Sequence, residues 1–196
     1  MLRSAFRFVT LAALAVAVAL PALAQDGSAI EQMLRERDRE IKTILGTSSS
    51  YTDAQRTRLQ TLINDVIDFR AMSAYALGDT WGTLDAAQKD RFVEVFSGIV
   101  RSQSLADLDL YRASVAYDGV AVDGSTATAT TTTTYRDTQA QVVYDLAKMG
   151  DGWAVTDITI DEVSTAENYR RSFQRVLARR GYDALLQSLE RRLARG

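Results

Sequence analysis

The chain has 196 residues, with 23 basic against 25 acidic side chains, one proline, no cysteine and no histidine. The two absences exclude disulfides, Ser-His and Cys-His nucleophile pairs, and ordinary histidine or thiolate zinc sites. The slightly acidic balance does not suit a general nucleic-acid binder, which presents a basic surface.

Arg3 and Arg7 precede an almost purely apolar run from Phe8 to Leu20. Pro21 breaks the run, and the small residues Ala22 to Ala24 follow, as at a signal-peptidase site. The run is too short to span a bilayer comfortably. Residues 1–24 are therefore expected to be a cleaved export signal, and residues 25–196 a single domain. That domain has 172 residues, 196 less 24, enough for a real core. Losing Arg3 and Arg7 leaves 21 basic against 25 acidic residues, a net charge of −4.

The first half reads as helix. Ile30, Met33, Leu34, Ile41, Ile44 and Leu45 recur at helical spacing until Gly46 and Ser48 to Ser50 interrupt them. Thr52 to Gln55 forms a capping box. Leu59, Leu62, Ile63, Val66 and Ile67 form the stripe that follows. Asp68 to Gly78 is a short apolar helix stopped at its glycine. Asp85 to Gln88 caps a long helix with Phe92, Phe96, Ile99 and Val100 on one face.

The second half changes period. Val115 to Val122 reads as a strand, Asp123-Gly124 as a tight turn, and Ser125 to Tyr135 as a second strand. The threonine-rich patch Thr126 to Thr134 belongs to that strand rather than to a linker, because β-branched residues suit strands and turn signals flank it. Val142, Tyr144 and Leu146 alternate along a third strand. Gly150 to Gly152 turns into a fourth, from Trp153 to Ile160. Ser164 to Glu167 reads as another capping box, opening two helices split at Gly181. The fold class is α+β: a curved four-stranded antiparallel sheet with helices before and after it, packed on one face.

The second strand carries little bulk on either face until Tyr135. Its small inward side chains either let a helix approach closely or leave room for a ligand. Met72, Tyr75, Leu77, Phe92, Phe96, Val142, Tyr144 and Phe173 are large and apolar and have no catalytic chemistry beside them. They suit either a plain core or an apolar pocket. Arg101, Arg170 and Arg171 suit either solvated helix faces or a rim that meets an anionic group.

Four stretches together resemble the MlaC, or toluene-tolerance, family. They are "DFRAMSAYALGDTW" (Asp68 to Trp81), "LDAAQKDRFVEVF" (Leu84 to Phe96), "GWAVTDITIDEVSTAENYRRSF" (Gly152 to Phe173) and "RRGYDALLQSL" (Arg179 to Leu189). The resemblance runs from about Val66 to Leu189, and the order and spacing of the motifs are specific. It implies a periplasmic phospholipid carrier, not an enzyme, with no cofactor, no metal and no catalytic residue. Acyl chains would lie between sheet and helices in a nuclear-transport-factor-like cone. The implied lining is Phe69, Met72, Tyr75, Leu77, Phe92, Phe96, Ile99 and Val100 from the first helices. Val142, Tyr144, Ile158 and Ile160 would line it from the sheet, and Tyr169 and Phe173 from the last helices. Arg101 and Arg170 would form the head-group rim. The implied partners are an outer-membrane lipoprotein complex and an inner-membrane ABC transporter with its substrate-binding ring, with transient membrane contact and a role in outer-membrane lipid asymmetry. Two positions depart from the family pattern: Glu162 stands where glycine is usual, and Gln103 where tyrosine is usual. Two other readings stay open. One is a carboxylate-based isomerase-like enzyme using Asp157 and Tyr144. The other is a periplasmic adaptor without a ligand.

Overall fold

α1 (Leu20–Leu45) opens the computed structural model, which describes residues 20–195. Residues 1–19 of the expected export signal lie outside the described residues. One apolar stripe of α1 serves two cores. Ile30 and Leu34 pack on the sheet, whereas Ile41 and Leu45, three turns further on, pack against α2 (Asp53–Asn64) and a 3-10 turn at Leu108–Arg112. The capping box at the start of α2 forms in full. Thr52 Oγ1 accepts from Gln55 N at 3.2 Å, and Gln55 Oε1 accepts from Thr52 N at 3.0 Å.

The expected α2 stripe is too long at its C-terminal end. Helical backbone stops at Asn64, and Val66 and Ile67 leave the helix for the sheet. Val155 N donates to Val66 O at 2.8 Å, Asp68 N donates to Val155 O at 2.8 Å, and Ile67 pairs with Val155 in parallel. Asp68 then caps α3 (Phe69–Leu77) by accepting from Ala71 N at 2.8 Å. Gly78, at φ 56°, ends that helix. The short α4 (Asp79–Thr83) follows, and α5 (Ala86–Gln103) opens with a second complete capping box between Asp85 and Gln88.

The sheet has five antiparallel strands rather than the four expected: β1 (Ser114–Asp123), β2 (Thr126–Tyr135), β3 (Thr138–Met149), β4 (Gly152–Ile160) and β5 (Val163–Ser164), in that order. Register shifts at Tyr117/Gly119 and at Asp145/Leu146 mark bulges, which bend and twist a sheet. The register aligns Thr131 with Val142 and Ile160, Ala129 with Tyr144 and Ile158, and Ala127 with Leu146 and Val155. These rows form the inner face. Thr131 can be buried there because its hydroxyl donates to Val142 O at 3.0 Å.

The corner after β4 is a two-residue hairpin made without glycine. Asp161 and Glu162 both have positive φ, 45° and 67°, the signature of the primed turns that suit a right-twisted sheet. Asp161 extends the ladder on its other side, its N donating to Gln141 O and its Oδ1 accepting from Gln141 N, both at 3.0 Å. After β5 the chain enters α6 (Thr165–Leu193), which is interrupted at Gly181 (φ 75°, ψ −178°) as expected. The capping box at its start is only half formed. Ser164 Oγ accepts from Glu167 N at 3.0 Å, but the Glu167 carboxylate turns away to Tyr75. Asp157 supplies a different cap. Its carboxylate accepts from Ile158 N at 2.7 Å, from Ala166 N at 2.8 Å and from the Ser164 hydroxyl.

The interior divides into three adjoining cores. One lies among α3, α5 and α6, one between the N-terminal half of α1 and the sheet, and one among the rest of α1, α2 and the 3-10 turn. Ile67 touches the first two.

Two stability outcomes follow from the corner. Asp157→Ala leaves three donors short and should destabilise the fold by about 2–3 kcal/mol in chemical denaturation. Glu162→Gly relieves a left-handed side-chain position and should stabilise by about 0.5 kcal/mol, the relief exceeding the added chain entropy.

Candidate functional site

The implied lining separates into two groups. Met72, Leu77, Phe92, Phe96, Ile99 and Phe173 are buried against one another, with Val100 and Tyr169 packed around them. Phe92 and Phe96 are fully buried. Phe173 meets Phe92 and Phe96 edge-on at 5.8 and 5.6 Å, and Tyr169 meets Phe96 edge-on at 4.8 Å. Such edge-to-face pairs add to the area these rings bury. The helical residues therefore fill their own space in this structure. Phe69 is buried at the start of α3, beneath the Arg101 guanidinium at 5.2 Å from its ring.

The second group lies on the sheet. Val142 is buried, and Tyr144 and Ile158 pack against the sheet core. Ile160 is 48% exposed beside the β4–β5 hairpin, and Tyr75 is 48% exposed on α3. Neither is enclosed. The small residues of β2 serve close approach: Ala127 and Ala129 are buried in the core that Ile30 and Leu34 of α1 complete. A Cβ on Gly27 of α1 would lie 3.8 Å from Val120 O. Two concavities among the described residues, of about 350 and 480 Å³, lie along α1 and α6. They are lined chiefly by polar side chains, and none of the implied lining residues belongs to them.

Both expected rim arginines already have partners. Arg101 pairs with Asp65 at 2.8 Å. Arg170 donates to Tyr75 O at 2.8 Å and lies 5.1 Å from the centre of the Tyr75 ring. With Gln174, whose amide donates to Leu77 O at 2.8 Å, Arg170 closes the C-terminal end of α3. A cation is favoured at that end of a helix. Arg171 is exposed.

Tyr144 belongs to the implied lining, and the sequence reading missed two further phenols, Tyr111 and Tyr117. Tyr111, from the 3-10 turn, is pushed up to about 12, first by burial and then by the neighbouring Tyr144. Tyr117 of β1 is pushed up to about 12 by burial, then by Asp38 and Tyr144. Burial raises Tyr144 as well, with Asp38 adding to it. Tyr117 and Tyr144 pack against the core that α1 shares with the sheet, and Tyr111 packs against the core beside it. Asn64, at the end of α2, is fully buried. Its amide donates to Gln60 O and to Ser104 Oγ, both at 2.8 Å, but its Oδ1 has no partner among the described residues. No periodicity signals these residues, because Tyr111 sits in a single irregular turn and Asn64 is a lone polar residue at a helix end.

The sequence matches the family model described as "MlaC protein" over residues 35–191, from the middle of α1 almost to the end of α6. The chain belongs to the MlaC family. No curated protein matches it. Among solved structures, it is similar to a phospholipid-binding protein from Ralstonia solanacearum, solved in complex with a phospholipid. The TM-score is 0.71 at 20% identity, covering 87% of this chain and 97% of the other, a likeness of fold.

Each of this MlaC-family member's two departures has a physical position. Glu162 holds the φ 67° site that a glycine would occupy without strain. Gln103 receives a hydrogen bond from the Tyr169 hydroxyl at 2.8 Å, tying the end of α5 to α6.

Two outcomes test this geometry. Arg170→Ala should lower stability by about 1–2 kcal/mol through loss of the α3 end contact, read by denaturation. The raised tyrosines favour the neutral phenol in the folded state. Their contribution is complete below the ordinary value of about 10 and is lost as pH rises towards about 12. Tyrosinate absorbance should therefore show a late-titrating class in that window, and Tyr111→Phe with Tyr117→Phe should shrink it without abolishing it, because Tyr144 is raised too.

Proposed function

We propose that the chain is an exported, periplasmic phospholipid-binding carrier, released from its signal peptide after Ala24. The match to the MlaC family across nearly every folded element carries this reading. The acyl chains are assigned to the seam between the inner face of β3 and β4, at Val142, Tyr144 and Ile158, and the α3–α5–α6 core, at Phe69, Met72, Ile99 and Val100. An interior already divided into adjoining cores opens along such a seam at less cost than a single close-packed core would. Tyr111, Tyr144 and the unpartnered Asn64 Oδ1 are assigned to the polar part of the lipid, which offers both acceptors and donors.

The energetics require a carrier rather than free diffusion. Each buried methylene is worth about 0.8 kcal/mol, so two chains of about fifteen carbons resist entering water by on the order of 20 kcal/mol. The matching partners are the outer-membrane lipoprotein complex and the inner-membrane ABC transporter with its substrate-binding ring. Shuttling between them would maintain lipid asymmetry. The nuclear-transport-factor-like cone belongs to this reading. The enzyme alternative loses its base, because the Asp157 carboxylate already accepts three hydrogen bonds at the start of α6.

The test is native mass spectrometry of protein purified from the periplasm after expression with its first 24 residues, beside a lipid extraction. The expected result is a mature mass beginning at Gln25 with one phospholipid-sized adduct. Val142→Asp should lose the adduct while keeping the circular dichroism of the parent. A folded parent protein that carries no lipid and takes none from phosphatidylethanolamine–phosphatidylglycerol vesicles would overturn the carrier and leave the adaptor reading.

A further inference from the structure

The outer side of α6 is a different surface from the lipid seam. Before Gly181 the helix runs antiparallel to α5, with Tyr169 at Gln103 and Phe173 at Phe92. After Gly181 it runs back along α5, with Tyr182 bonded to Gln88 O, Glu190 paired to Arg91 and Leu193 against Gly98. The two arms are therefore antiparallel neighbours, and a groove of about 480 Å³ lies between them. Small residues, Ser172, Ala184 and Ser188, line it beside Val176. Arg175, Arg179, Arg180 and Arg191 also line it, all exposed, and no carboxylate does. Among the described residues none of these four takes part in an ion pair. The carboxylates nearest in sequence are engaged elsewhere or lie outside the groove: Glu190 is held by Arg91, and Asp183 is not among the lining residues.

The charge is segregated. Residues 170–195 contain eight arginines and no lysine against Asp183 and Glu190, a balance of 8 − 2 = +6 in a chain of net charge −2. The remainder of the chain is thus −8. Arginine forks bind carboxylates and phosphates in two-pronged fashion, which lysine does not. The recess discriminates between possible anionic occupants. A basic surface that seats on a bilayer normally couples its cations to inserted apolar side chains. Among the described residues, the exposed large hydrophobic ones are Tyr75, Leu110, Met149, Ile160 and Val163, none of them in the groove. A furrow between two helices, with small residues lining it and cations beside them, fits a single protruding segment that carries carboxylates.

We propose that the groove between the two arms of α6 is a docking site for an acidic segment of a partner protein. Opposed charge would speed the encounter and set its orientation. The site stands independently of the lipid reading, because it lies on the outer side of α6 and shares no residue with the seam.

The test places a photo-crosslinking benzoylphenylalanine at Ser188 of the full chain in its native host, with and without Arg175→Glu and Arg179→Glu together. The expected crosslink joins a protein segment rich in aspartate and glutamate. Its yield should fall at least tenfold in the reversed variant and return when the mapped carboxylates are changed to lysine. A crosslink to lipid, one to a segment without carboxylates, one indifferent to the reversal, or none at all would each overturn the proposal. Native mass and thermal melting of the reversed variant are read in parallel. Unchanged lipid occupancy and melting show that a lost crosslink reports docking rather than folding or cargo. If the double variant melts early, Arg179→Glu alone replaces it.

Discussion

The orientation of α6 depends on one carboxylate. Asp157 sits on β4 and accepts from its own strand, from the hydroxyl that caps α6 and from an amide in the first turn of that helix. It fixes the angle at which the chain leaves the sheet. From that angle Phe173 reaches Phe92 and Phe96, and Arg170 and Gln174 reach the exposed carbonyls of α3. The return after Gly181 then brings Leu193 so close to Gly98 that a Cβ added there would lie 3.0 Å from its Cδ1. A polar contact of a few ångströms thus orients most of the helical core. The same residue looks like a catalytic candidate in the sequence, and here its carboxylate is engaged in holding the corner.

The division of the interior has a functional side. A single core would resist an intruding ligand with its full cohesion. In this fold the helical aromatics cohere among themselves, the sheet coheres with α1, and Ile67 bridges the two. Tyr111, Tyr117 and Tyr144 are held as neutral phenols, and the buried Asn64 amide oxygen has no partner among the described residues.

Much of this architecture was legible in the sequence. The capping boxes at Thr52 and Asp85, the stops at Gly46 and Gly78, the split at Gly181 and the meander turns are local signals, and local signals were sufficient for them. What failed was non-local. Val66 and Ile67 continue the helical spacing of α2, and only Val155, almost ninety residues later, draws them out of it. β5 is too short to show a period. The family resemblance was legible, but the roles of single residues were not. Periodicity shows that Phe96 faces inward without showing whether it meets a ligand or Phe173. Arg170 reads as a rim cation because its acceptors are backbone carbonyls of another helix, which carry no signature in sequence.

The two borders of the sheet are finished differently. Along β4, the Val66–Asp68 segment takes the hydrogen bonds of Val155 and β5 takes those near Thr159, so that border is occupied by the chain itself. β1 is the open border, and it carries the register shift at Tyr117/Gly119 with Asp118 within it. An open strand is a template on which another molecule's strand can be added, and a bulge with a charge spoils the template. Exposed strand edges are where folded chains pair with further copies and polymerise. Here the occupied border and the bulged one leave no long flat edge for a second copy to extend.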